Sequence, residues 1–155
     1  LLHGGTSTVL AIGTPPDAAG WKIGLEHPAC HVGTTPNSKP ETPNSPAPLA
    51  TVWLRDESLS VSAVWGKSFT AADKSYGHVI DPRTGQPTEG ALLSAIVLPS
   101  ATESDALSTM LLTLGPDGLG DVLRLRSGMR ALVAGSGGEG KPLRIESHGF
   151  DLPPR

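Results

Sequence analysis

Tyr76-Gly77-His78-Val79-Ile80-Asp81-Pro82-Arg83-Thr84-Gly85-Gln86-Pro87 sets a histidine, an acid, an arginine and a hydroxyl within one short span that ends in turn chemistry. Aromatic and β-branched residues without helical spacing make Tyr76 to Ile80 a short predicted strand. Asp81-Pro82 stops it, because proline offers no ladder donor and pushes the preceding residue away from helical angles. Thr84-Gly85 then suits a turn in which glycine accepts positive φ. Polar side chains held at a strand end by a stiff turn are good material for a site. They equally suit a plain hairpin corner in which Asp81 bonds the turn amides.

Working outward, Glu89-Gly90-Ala91 leads into Leu92 to Leu98, whose nearly unbroken apolar run predicts a central strand buried on both faces. Ser100, or Thr102 with Asp105 three residues on, caps a helix whose apolar stripe is Leu107, Met110, Leu111 and Leu114. Gly115 supplies its stop. Asp105 and Thr109 lie four apart and project from one face of this helix. Spacing alone reads them first as a dipole partner in the first turn and a hydroxyl bonding back to its own helix. They are also hard oxygen donors of the kind Mg²⁺ takes together with waters and phosphates.

Toward the N-terminus, Thr6 to Gly13 is a β-rich buried strand, and Trp21 to Leu25 is expected to form a hairpin with it. The Gly4-Gly5 pair reads as a bulge, or as a place where phosphates approach the backbone. Gly33 to Pro48 holds no large apolar side chain, which predicts a flexible Pro-rich insertion. Thr51 to Leu54 and Leu59 to Val64 are strands, with Val61 and Val64 in the core, and Lys67 to Ser75 is a polar connection. Beyond the helix, Gly118 to Arg126 is a second short helix, Met129 to Ala134 a strand, and Gly135 to Gly140 a hairpin tip. Leu143 to Phe150 closes the sheet with Arg144, Glu146 and His148 on a wet face.

The totals agree with one domain over residues 1–155. Of the 155 residues 37% are hydrophobic and 17% charged, and 19 Gly with 15 Pro imply many turns. A net charge of −3 gives no electrostatic case for nucleic acid or an anionic membrane. The single cysteine, Cys30, has no internal disulfide partner, and no zinc-type Cys/His spacing occurs. No stretch is apolar for long enough to span a bilayer as a helix. Strands outnumber helices and come mostly as hairpins, so the expected class is α+β: a mainly antiparallel sheet with helices packed on one side.

Three stretches together resemble the ApbE family, the FAD:protein FMN transferases. His78 to Gly85 is similar to its His-x-(Ile/Leu)-Asp-Pro-(Arg/Lys)-Thr-Gly signature. Glu103 to Thr109, with Leu114-Gly115, resembles its Ala-Asp-Ala-Leu-(Ala/Ser)-Thr…Leu-Gly helix. Gly4-Gly5 with Gly20 to Pro28 resembles its Gly-Gly and Trp-x-(Val/Ile)-Gly-(Ile/Leu)-x-x-Pro elements. One departure stands out, since the family's Thr-Ser-Gly is here Val61-Ser62-Ala63, which keeps only the Ser62 hydroxyl as a polar handle.

The resemblance implies Mg²⁺-dependent transfer of the FMN half of FAD to a Thr or Ser hydroxyl of a target protein, with release of AMP. It implies Mg²⁺ ligation by Asp105 and Thr109. It places His78 beside the phosphates as proton acceptor or as charged donor, with Asp81 orienting His78 or the turn. Gly4, Gly5, Ser62, Arg83 and Thr84 would line the flavin-nucleotide side. The partners implied are FAD, an acceptor protein such as a redox-pump subunit, and an N-terminal half of the same protein, this chain being the C-terminal half. The expected location is the periplasmic, outer face of the cytoplasmic membrane, with a lipid anchor. Two other readings stay open: an FAD pyrophosphatase yielding FMN and AMP, and a flavin-nucleotide-binding module without catalysis.

Overall fold

The computed structural model describes residues 1–5, 7–31, 47–65, 68–71, 74–138 and 142–154. Its strands in chain order are β1 (Leu2–Gly4), β2 (Thr8–Leu10), β3 (Trp21–Leu25), β4 (Ala50–Leu54), β5 (Ser58–Ala63), β6 (Ser68–Ala71), β7 (Lys74–Gly77), β8 (Ile80–Asp81), β9 (Gln86–Pro87) and β10 (Leu93–Leu98). Helices α1 (Ala101–Leu114) and α2 (Leu119–Leu123) follow, and β11 (Arg130–Gly135) and β12 (Arg144–His148) complete the order. Among the described residues no helix is long and apolar enough to cross a membrane.

The main sheet has six strands in the order β1-β2-β5-β10-β11-β12, every neighbouring pair antiparallel. Its centre is β10, all six of whose residues are buried, as an unbroken apolar run requires. One face packs Val9, Leu59, Leu93, Ala95, Val97 and Leu132 against Leu25, Val52 and Leu54 of the β3–β4 ribbon. The opposite face packs Ile96, Leu98, Ala131 and Val133 against Leu111, Leu112 and Val122 of the two helices. The α+β class, an antiparallel sheet with its helices on one side, is therefore what the chain adopts.

Several local expectations change. Trp21 to Leu25 does not pair with the first strand but with β4, in the register Ile23↔Val52. The reason is edge occupancy: β2 already has β1 on one side and β5 on the other, so it has no free edge to offer. Lys67 to Ser75 is not a plain connection, because β6 pairs there with β7, which runs on to Gly77. The strand expected from Tyr76 to Ile80 is broken at His78-Val79, β7 pairing with β6 and β8 with β9. The second helix shortens to Leu119–Leu123, preceded by a 3-10 turn at Pro116–Gly118. Residues 32–46, most of the expected insertion, lie outside the described set, as do 139–141 at the hairpin tip.

The stripe by which α1 meets the sheet also differs. Met110 is exposed, whereas Ser104, Ser108, Leu111 and Leu112 are the buried set. The cause lies in β5, where Leu59 and Val61 point to the β3–β4 side and Ser58 and Ser60, fully buried, take the helix side with Ser62. A strand alternates its faces with period two, so one face of β5 is a row of serines. Ser94 of β10, paired with Ser62, continues that row and donates to the Ser108 carbonyl at 2.6 Å. Small hydroxyl side chains let the helix backbone approach the sheet, and Ser60, Ser94, Ser104 and Ser108 find partners there, whereas the buried Ser58 hydroxyl has none among the described residues.

Candidate functional site

Helix α1 begins where Ser100 accepts a hydrogen bond from the Glu103 amide at 3.3 Å, a serine cap that satisfies one of the orphan donors of the first turn. Asp105 and Thr109 then stand one turn apart with both side chains exposed. Ser60, completely buried on β5, donates to Asp105 Oδ1 at 3.0 Å. Ser62 lies 3.1 Å from Thr109 Oγ1 and 2.8 Å from Ser108 Oγ. Thr109 and Ser108 both bond back to the Asp105 carbonyl, at 3.3 and 2.9 Å. The back-bonding expected of Thr109 is thus present. It does not compete with a ligand role, since a hydroxyl that gives away its one hydrogen keeps its lone pairs.

The turn between β8 and β9 is built around Asp81. Its carbonyl accepts from the amides of Thr84 at 3.2 Å and Gly85 at 2.8 Å, and Gly85 has the positive φ of 68° such a turn requires. Its carboxylate takes two near-parallel bonds from the Arg83 guanidinium, Nε to Oδ1 at 2.9 Å and Nη2 to Oδ2 at 2.7 Å, the geometry that makes such pairs strong. Oδ1 also accepts the Arg83 amide at 2.9 Å. The side-chain bonds from Arg83, then its backbone N–H, hold the Asp81 carboxyl below its ordinary range, and burial opposes them. The guanidinium is correspondingly raised. Asp81 thereby acts as a clamp on its own turn, both oxygens being engaged by Arg83.

Arg83 also joins the turn to the helix. Its Nη2 donates to the Thr113 carbonyl at 3.4 Å, one helical turn beyond Thr109. Val79, next to His78, packs into the helix-side core. A Cβ on Gly77 would sit 3.3 Å from the carbonyl of Val64, two residues along the chain from Ser62. So the exposed His78 is carried by a link that meets the chain just past β5 at Val64, the helix-side core through Val79, and the last turn of α1 through Arg83.

The remaining candidates divide. Gly4 pairs with Thr8 in the β1–β2 hairpin, and Gly5 has φ 74° at its turn. Thr8 Oγ1 lies 3.2 Å from Ser60 Oγ, which connects that hairpin to Asp105 through two hydrogen bonds. Thr84 is exposed and its hydroxyl accepts the Gln86 amide at 3.2 Å, a turn role. Ser60 and Thr8 were missed in the sequence. The available signal was the period-two serine pattern Ser58, Ser60, Ser62, which reads as strand without saying which face is wet.

The donor chemistry fits a hard cation. A carboxylate and a hydroxyl stand exposed on one helix face, with Asp105 Oδ1 already oriented by Ser60. Among the described residues no group of three or more His, Cys, Asp or Glu surrounds a point. An ion held there would complete its shell with waters and substrate oxygens, which is the habit of Mg²⁺.

A pH dependence follows from the Asp81–Arg83 clamp. Because the folded carboxyl is held below its ordinary value of about 3.9, its contribution to stability is present above that value. It is lost as pH falls through the lower, folded one. The gap in melting temperature between wild type and Arg83→Ala should therefore be widest near neutral pH and begin to narrow below roughly pH 4, the bond to the Thr113 carbonyl leaving a pH-independent remainder. A gap that stays constant into acid would remove the clamp from the account of this turn.

The model of the ApbE family matches residues 2–133. The FAD:protein FMN transferase of Escherichia coli (strain K12) is 31% identical over 105 residues, which are 67% of this chain and 26% of that protein. That of Klebsiella pneumoniae (strain 342) is 30% identical over 121 residues, 77% of this chain and 31% of the relative. Among solved structures, the ApbE protein of Thermotoga maritima aligns with TM-score 0.65 at 23% identity, covering 91% of this chain and 40% of its own. The apo flavinyl transferase ApbE of Pseudomonas stutzeri gives TM-score 0.62 at 26% identity, covering 92% and 39%. The chain thus spans between a quarter and a third of the length of these curated relatives.

Proposed function

The chain belongs to the ApbE family, and on that premise we propose that it carries the magnesium and pyrophosphate side of an FAD:protein FMN transferase. The observation that supports this most is the exposed pair Asp105 and Thr109, backed by Ser60 and Ser62, with the Arg83 turn anchored one helical turn away at Thr113.

In the proposed reaction a Thr or Ser hydroxyl of an acceptor protein attacks the FMN phosphorus of FAD. The new O–P bond forms as the bond from that phosphorus to the bridging oxygen breaks, AMP leaves, and the hydroxyl proton passes to a base. The nucleophile comes from the partner, so the chain needs no activated serine or cysteine of its own. Positioning and charge neutralisation dominate such a transfer. Mg²⁺ on Asp105 and Thr109 would supply charge neutralisation on the pyrophosphate oxygens. His78, on the exposed link that Arg83 ties to the last turn of α1, would take the proton or donate to a phosphate oxygen; an imidazole can do either near neutral pH. Asp81 and Arg83 hold the link in place.

Incubating the full-length protein with FAD, Mg²⁺ and a Thr-containing acceptor peptide tests the proposal. Covalent flavin fluorescence on the peptide, with one AMP released per flavin attached, is the expected result. Free AMP and FMN without attached flavin would assign a pyrophosphatase instead. Intact FAD retained without turnover would assign a binding module, which the loss of two of the three Thr-Ser-Gly positions at Val61 and Ala63 would then explain.

A further inference from the structure

We propose that Ser60 is a positioning residue for Asp105, acting as the middle of a directional hydrogen-bond relay that runs from Thr8 through Ser60 to the carboxylate. The proposal rests on the reading of Asp105 as a cation ligand and goes beyond it to the residues that aim that ligand.

The direction follows from counting hydrogens. Ser60 Oγ has three neighbours: Asp105 Oδ1 at 3.0 Å, Thr8 Oγ1 at 3.2 Å and the Ser7 carbonyl at 3.4 Å. A hydroxyl has one hydrogen to give and two lone pairs to fill. The carboxylate and the carbonyl can only accept, and the bond to the ionised acceptor is both shorter and stronger in kind. Ser60 therefore donates to Asp105, and Thr8 Oγ1 donates to Ser60.

Three features, two on strands and one on the helix, make this a built arrangement and not a surface coincidence. Ser60 is fully buried, with neighbours on both sides of its strand. Thr8 and Ser60 are direct cross-strand partners, so the register of β2 and β5 sets their separation. Asp105 itself is exposed, and among the described residues its side chain has no other hydrogen-bond partner. Without Ser60 the carboxylate would sample the rotamers open to any surface aspartate. With it, Oδ1 is pinned to the rigid centre of the sheet and Oδ2 is left for a ligand. Partners that orient a metal ligand in this way commonly change metal affinity by roughly 10–100-fold when removed.

The measurement is binding of Mn²⁺ alone to the 155-residue chain, followed by the loss of its free-ion paramagnetic resonance signal, in wild type, Asp105→Asn, Ser60→Ala, Thr8→Val and the Ser60→Ala/Thr8→Val pair. Melting in the absence of metal verifies that each variant is folded. Ser60→Ala should weaken Mn²⁺ binding by roughly 10-fold or more, Thr8→Val by a smaller factor, and Thr8→Val should add nothing once Ser60 is alanine. Should Ser60→Ala bind as wild type while Asp105→Asn does not, the relay is overturned and the ligand assignment stands. Full additivity of the two changes overturns it as well, since a relay cannot be cut twice. If Asp105→Asn leaves binding unchanged, the ligand assignment itself fails and the relay fails with it. Should Ser60→Ala not fold, Thr8→Val decides alone, and wild-type binding in that variant overturns the relay.

Discussion

Asp105→Ala should reduce covalent flavin transfer on the order of 100- to 1,000-fold, the usual loss when one electrostatic stabiliser is taken from a transition state. The effect should fall on the chemical step, because the charge that builds on phosphoryl oxygens is greatest there. Stability should change little: Asp105 is exposed, and surface substitutions usually stay within about 0.5 kcal/mol. Ser60, losing its acceptor, still has the Ser7 carbonyl at 3.4 Å to turn to. Single-turnover labelling of an acceptor peptide, paired with a thermal melt, separates the two quantities. A labelling rate within a few-fold of wild type would remove Asp105 from the proposed machinery, whatever the melt shows.

Gly115→Ala should have the opposite signature, a large loss of stability at a position that carries no chemistry. Gly115 ends α1 at φ 74° and ψ −171°, a region open in practice only to glycine, and strain of that kind costs about 1–3 kcal/mol. A Cβ there would also lie 2.4 Å from the Gly90 carbonyl oxygen, while one on Gly90 would lie 2.3 Å from that of Thr113. Both obstacles are backbone, so neither can swing away. Overpacking adds about 1–3 kcal/mol, giving on the order of 2–5 kcal/mol in all. For a chain of this size that corresponds to a fall in Tm of roughly 5–20 °C, measurable by circular dichroism. A melt indistinguishable from wild type would mean that the helix end and the Gly90 loop do not pack face to face. Since Arg83 grips the helix at Thr113, two residues before Gly115, the same substitution should also loosen the His78 link.

Legibility in the sequence followed the range of the interactions. Leu93 to Leu98 could be read as a central strand because burial on both faces demands an apolar residue at every position. The start and end of α1 could be read because Ser100 and Gly115 act within a turn of where they sit. The turn at Gly85 was equally local. The α1 stripe was misjudged at Met110 because nothing local says that a helix will lie on serines and not on leucines. The His78 strand was broken for a similar reason: its two halves pair with different partners, and partner choice is not a property of the segment.

What the sequence determined by itself, then, was the kind of each main element, the α+β class, and the motifs by which the family could be recognised. The tertiary structure alone decided that β3 pairs with β4 and not with β2, that Arg83 reaches the carbonyl of Thr113, and that Ser60 stands beneath Asp105. Periodicity and capping act between residues a few positions apart and are written directly in the residue order. Pairing and docking depend on which edges and faces are still open once the rest of the chain has closed around them, and that is settled only by the assembled sheet.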